Sequence, residues 1–204
     1  MKTRIMSLSL ATAIIVSLLF GAVTAQSQRN ISDKVVRLHV VANSDSDEDQ
    51  AVKLRVRDAV LESLREEMAG ITDFEQARAY IRENLPKIRQ TANECLEALG
   101  YRGNAVVTLG KEVFDTRYYD TFTLPAGVYE ALRITIGECQ GKNWWCVVFP
   151  TLCVPATSDG FEDVAAGAGF PDALTSALEG ESGYELRFFL LDLLGKWQSR
   201  GYKG

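Results

Sequence analysis

One histidine, four cysteines and a tryptophan pair are the residues with which this chain could do chemistry. His39 stands in VVRLHVVA, just ahead of the serines and aspartates of NSDSDEDQ. A histidine base beside a hydroxyl nucleophile, oriented by a carboxylate, would make a hydrolase. The competing reading is a turn running into a helix start, where Ser and Asp are the usual capping groups. No GxSxG elbow frames Ser44 or Ser46, so capping is preferred and His39 is expected on the outer face of an edge strand. A lone histidine excludes a zinc site built from histidines, and no two cysteines have tight CxxC spacing. The chain carries no phosphate-binding loop with its lysine, and no carboxylates framed as an acid/base pair. No catalytic residue, cofactor or metal is expected.

The second chemically dense stretch is GKNWWCVVFPTLC, with Trp144, Trp145, Cys146 and Cys153. Cys146 or Cys153 could pair with His39 as a nucleophile. The alternative is a Cys146–Cys153 disulfide, with the chain bending at Phe149-Pro150, and export favours it. Four cysteines allow three full pairings, and a Cys95–Cys139 bridge is the weaker expectation. Adjacent strand residues face opposite sides, so Trp144 and Trp145 cannot both point inward; one is left as a binding candidate.

Export is read from the N-terminus. Lys2 and Arg4 precede an apolar run from Ile5 to Val23, and Val23-Thr24-Ala25 are small residues suited to signal-peptide cleavage. Residues 1–25 are a signal peptide or an uncleaved anchor, since a span needs about 17–25 residues. Membrane contact is expected only through this segment, if it is retained. The formal net charge of −5 argues against a nucleic-acid surface.

The elements that position these residues follow from periodicity. Val36, Leu38 and Val40 alternate with Arg37 and His39 as in a half-buried strand. Ser46 caps a helix that runs to about Met68, with Lys53 and Arg57 inside its apolar arc. Thr72 and Glu75 have capping-box spacing for a second helix, which Pro86 kinks or splits before Gly100 ends it. AVVTLG, a piece of EVFDTRYYDTFTLPAG, VYEALRITIG and NWWCVVF follow as strands, the last as a central one. The expected fold is α+β: a mostly antiparallel sheet of about four or five strands beside two helices from the N-terminal half and a closing C-terminal helix. Residues 31–154 form the main domain, 155–183 a flexible excursion, and 184–200 a helix packing on that domain.

Three stretches occur in a characteristic order: RLHVVANSDSDEDQAVKLRVRDAVL, LPAGVYEALRITIGECQGKNWWCVVFPTLC and ELRFFLLDLLGKW. Together they resemble the stage II sporulation protein R family of endospore-forming bacteria. Asn43, Ser44, Asp45, Asp49, Gln50, Lys53, Arg57 and Asp58 match the first pattern. Asn143, Trp144, Trp145, Cys146, Phe149, Pro150 and Cys153 match the second. Asp115 and Val128 stand where the family pattern has Pro and Glu, and Cys95 and Cys139 lie outside it. The resemblance implies an exported forespore protein, acting in the space between the two membranes. There it activates a membrane-embedded aspartic protease of the mother cell, which processes the sigma-E precursor. Two surfaces are candidates for partner binding: the Asn43–Gln50 turn (Asn43, Ser44, Asp45, Asp49, Gln50) with Lys53 and Arg57, and Asn143 with Trp144 and Trp145. The rival readings are an exported hydrolase using His39 with a Ser or Cys nucleophile, and a cell-envelope glycan-binding module.

Overall fold

A computed structural model of the chain describes residues 10–19, 31–118 and 123–150. The expected excursion 155–183, the closing helix 184–200 and Cys153 lie outside these residues, as does most of the segment 1–25. Residues 10–19 are helical and exposed. Among the described residues, no helix is long and apolar enough to cross a membrane.

Strand β1 (Val36–Val41) leads into helices α1 (Asp47–Glu67), α2 (Phe74–Glu83) and α3 (Leu85–Ala98). Strands β2 (Ala105–Phe114), β3 (Arg117–Tyr118), β4 (Thr123–Leu124), β5 (Gly127–Ile136) and β6 (Asn143–Phe149) follow. Four of them form one sheet in the order β2-β5-β1-β6, and β3 and β4 pair separately. The class is α+β, as expected, but the sheet is mixed. β2–β5 and β1–β6 are antiparallel, whereas β1 and β5 run parallel. Parallel neighbours need a long crossover, and the three helices with β2 supply it.

Helix boundaries follow local chemistry. Ser46 caps α1 by accepting the Asp49 N–H, and Asp47, Glu48 and Asp49 fill the first turn, where the helix dipole favours negative charge. For α2 the cap is Asp73, which accepts the Gln76 N–H, and not the expected Thr72. Pro86 splits the second helical run instead of kinking it. α2 ends at Glu83, Asn84 is the joint, and Pro86 sits in the first turn of α3, where its missing N–H has no helical partner to lose.

One face of the sheet carries the core. Val36, Leu38 and Val40 of β1 pack with Leu132, Ile134 and Ile136 of β5 against Val52, Val56, Val60 and Leu64 of α1 and Ile88, Ala92 and Leu96 of α3. Burying each such aliphatic side chain is worth about 1.5–3 kcal/mol. α2 is tied to the same face by charge: Glu130 of β5, nearly fully buried, pairs with Arg78 at 3.3 Å and Arg82 at 3.7 Å.

Two expectations are corrected here, those for His39 and for β6, and the boundaries of a third are refined. β1 is an interior strand buried on both faces, so His39 is neither exposed nor on an edge. β2 runs unbroken through Gly110 to Phe114, paired residue for residue with β5, so EVF continues AVVTLG, and the further strand expected in EVFDTRYYDTFTLPAG is present as β3 and β4. β6, expected as central, ends the sheet among the described residues. Its apolar run reflects the burial of Cys146, Val147, Val148 and Phe149.

Candidate functional site

β5 and β6 flank β1 on opposite sides, so residues 137–142 must cross the end of β1 to join them. That crossing is fastened by the Asn43–Gln50 turn. The Gln140 N–H donates to Asn43 O and the Gly141 N–H to Ala42 O, both at 3.0 Å. Asn43 Oδ1 accepts the Glu138 N–H at 2.9 Å, and Asp45 Oδ1 accepts the Lys142 N–H at 2.6 Å. Lys53 Nζ donates to Lys142 O at 3.0 Å and to Gln50 Oε1 at 2.6 Å. Gln50 Nε2 donates in turn to Ser44 O at 2.8 Å.

Two glycines make the close approach feasible. A Cβ on Gly137, whose φ is +56°, would lie 2.3 Å from Asn43 Oδ1, and one on Gly141 would lie 2.2 Å from Ser44 O.

Asp49 is the acceptor at the centre of the turn. Ser44 Oγ and Asn43 Nδ2 donate to its Oδ2, and Tyr101 donates to its Oδ1 at 3.0 Å. The Ser44 and Asn43 bonds hold its carboxyl below the usual carboxylate range, against the opposing effect of burial. The Tyr101 hydroxyl is pushed up to about 12 by burial and by this carboxylate. Burial, then the Arg57 charge, push the Lys53 ammonium down. Of the residues expected to bind a partner, Asn43, Ser44, Asp45, Asp49, Gln50 and Lys53 are therefore engaged within the fold. They form an internal clasp.

The tryptophans do face opposite sides. Trp144 aligns with Val40 on the helix-covered face, yet it is 38% exposed at the rim. Arg57 lies over its ring, 4.3 Å from the centroid, and is itself paired with Asp58. Neither tryptophan is a fully buried core residue. Trp145 aligns with His39 on the other face, where the two rings stack at 5.6 Å and 17°. Arg117 also lies over Trp145, at 3.7 Å.

His39 has both ring nitrogens occupied, Nδ1 by the Glu112 carboxylate at 2.8 Å and Nε2 by Asn143 Oδ1 at 2.9 Å. Arg133 reaches the same carboxylate at 3.3 Å. Deeper on this face, the fully buried Arg37 lies over Phe114 at 4.0 Å and Tyr129 at 5.1 Å. The serines of the turn are bonded to Asp49 and to one another, not to His39.

Cys95 and Cys139 are free thiols, so the bridge between them does not form. Glu112, Arg117, Tyr101 and Lys142 were not singled out by sequence reasoning. Each acts through a long-range contact that no local pattern announces. Gly137 and Gly141, spaced around the crossing, were the nearest thing to a signal.

Comparison with known proteins gives a consistent result. Residues 32–159 match the family model described as Stage II sporulation protein R. The chain is 38% identical over 192 residues to the Stage II sporulation protein R of Bacillus subtilis (strain 168), covering 83% of this chain and 85% of that protein. No solved structure matches it significantly.

Proposed function

The chain belongs to the stage II sporulation protein R family, and we propose that it is an exported signalling protein that switches on a membrane-embedded aspartic protease. In this reading it leaves the forespore through its N-terminal segment and works in the space between the two membranes. The mother-cell protease it activates there processes the sigma-E precursor. A Cys146–Cys153 disulfide, formed after export, fixes the end of β6. The observation that carries the reading is the family match, which spans the whole described domain from residue 32 onward.

The geometry supports a signal over a hydrolase. His39 is held between Glu112 and Asn143, with no serine on either nitrogen. The serines and Asp49 are consumed in the clasp. What the fold offers outward is a stiff strand start with an exposed, cation-supported tryptophan.

The reading is tested by co-expressing the protease and the sigma-E precursor in a non-sporulating host, with and without this protein. Processing that depends on this protein is expected. Equal processing in both cultures, with good export of the protein, would contradict the reading.

A further inference from the structure

The three helices lie on one face of the sheet, over Val36, Leu38 and Val40. The other face of the same strands is also buried, but only at one end. Arg37 of β1, Tyr129 and Ala131 of β5 and Val147 of β6 meet there, and none is more than 2% exposed. None of them belongs to the helix-side core. The far end of this second face is open: Val106 is 57% exposed, and Thr108 and Arg133 are exposed beside it.

A sheet face is buried by a second layer of structure. The described residues place little on this side. β3 and β4 have two residues each, and Arg117 lies over Trp145. Residues 10–19 are helical but exposed, so that stretch is not the layer. The burial is reached within a single chain, so the cover belongs to this chain and not to a partner.

The remaining sequence holds one segment with a suitable pattern. In YELRFFLLDLLGKWQSRG, Leu186, Phe189, Leu190, Leu193 and Trp197 fall on one helical face. Residues 155–183 are rich in Gly, Ala, Ser and acidic residues and have no such period. Glu185 and Asp192 border one side of the stripe, and a fully buried guanidinium such as Arg37 favours a carboxylate nearby. A helix over 184–200 would be about 25 Å long, at about 1.5 Å per residue, enough to cross β6, β1 and β5 at a spacing of about 4.8 Å. The chain also leaves the sheet at the right place. β6 runs out at Phe149, opposite Val36, at the buried end of the face.

We propose that residues 184–200 form the sheet's second cover, an amphipathic helix seated on the end of the helix-free face made by Arg37, Tyr129, Ala131 and Val147. The last segment of the chain thereby closes over its first long strand, and β1 is enclosed between two helical layers. This placement does not depend on the signalling reading.

The test uses the full exported chain, purified with the photo-cross-linking residue p-benzoylphenylalanine in place of Phe189. The linked peptides are mapped by mass spectrometry after irradiation. Links within one chain to peptides holding residues 35–37, 127–131 or 147–149 are expected. In parallel, melting temperatures are compared for the full chain, a chain ending at residue 183, Leu190→Glu and Gln198→Ala. The shortened chain and Leu190→Glu should each lose about 10 °C or more, the scale of several buried apolar contacts given up in a domain of this size. Gln198→Ala, away from the stripe, should melt with the parent. Links only to α1, α2 or α3, or only between two copies, would overturn the proposal. So would a chain ending at residue 183 that melts with the full chain. If the shortened chain does not fold, the cross-link map and Leu190→Glu decide.

Discussion

The side-chain oxygen of Asn43 accepts the backbone N–H of Glu138, a residue 95 positions further along the chain. That one bond joins the exit of the sheet's first long strand to the loop that starts its last. With its other end Asn43 donates to Asp49, so one amide serves both the crossing and the turn. Asn43→Ala should cost about 1–3 kcal/mol, the range for leaving one buried partner, Asp49, short of a bond, since Glu138 is exposed and can turn to water. The check is the urea midpoint of the purified domain. A change within measurement error would show that the other clasp bonds hold the crossing alone.

Asp49 makes the clasp sensitive to acid. Its folded pKa lies below the unfolded value of about 4, so the stability it supplies is complete above that value and is lost as pH falls through the folded one. Glu67, lowered chiefly by its bond from Lys87 and then by Tyr80, loses its contribution in the same direction. Asp49→Asn should melt lower than the parent near neutrality. It should also lose less melting temperature than the parent between about pH 6 and about pH 3, where the linkage acts. Parallel melting curves across that range would remove Asp49 from the acid response.

His39→Phe separates structure from catalysis. The substitution keeps an aromatic ring against Trp145 but removes the bonds to Glu112 and Asn143. A loss of about 1–3 kcal/mol is expected, with precursor processing reduced only as far as folded protein is reduced. Processing abolished in a protein that melts normally would favour the hydrolase reading.

Arg57→Ala removes the cation from the Trp144 ring and leaves the partly exposed Asp58 without its pair. The stability cost should stay within about 1 kcal/mol, as for a rim cation–π contact. Processing should fall by more than that cost explains, because Trp144, a candidate for partner binding, loses its support. A collapsed melting curve would instead make Arg57 a structural residue.

Local chemistry was legible in the sequence, and topology was not. The Ser46 cap, the extent of α1 and the opposed tryptophans follow from spacing alone. Arg37 and His39 misled, because alternating polar residues read as a solvated face. Here Arg37 is buried over Phe114 and Tyr129, and His39 is satisfied by Glu112 and Asn143. The Asn43–Gln50 turn with Lys53 and Arg57 reads as a polar cluster capable of docking, because two basic residues stand one helical turn apart beside acidic groups. That reading could not show that the same groups also bond residues 138–142, which only the crossing brings near. Lys53 and Arg57 are anomalous on an apolar arc for related reasons: one reaches the crossing backbone, the other covers Trp144.

In the proposed function this protein acts from outside the cytoplasm on a membrane protease. The most direct measurement compares two forms in the co-expression system: the full chain, and a chain lacking residues 1–25 that is retained in the cytoplasm at equal abundance. Precursor processing with the exported form only is the expected result. Equal processing by the retained form, or none by an exported and folded full chain, would contradict the claim.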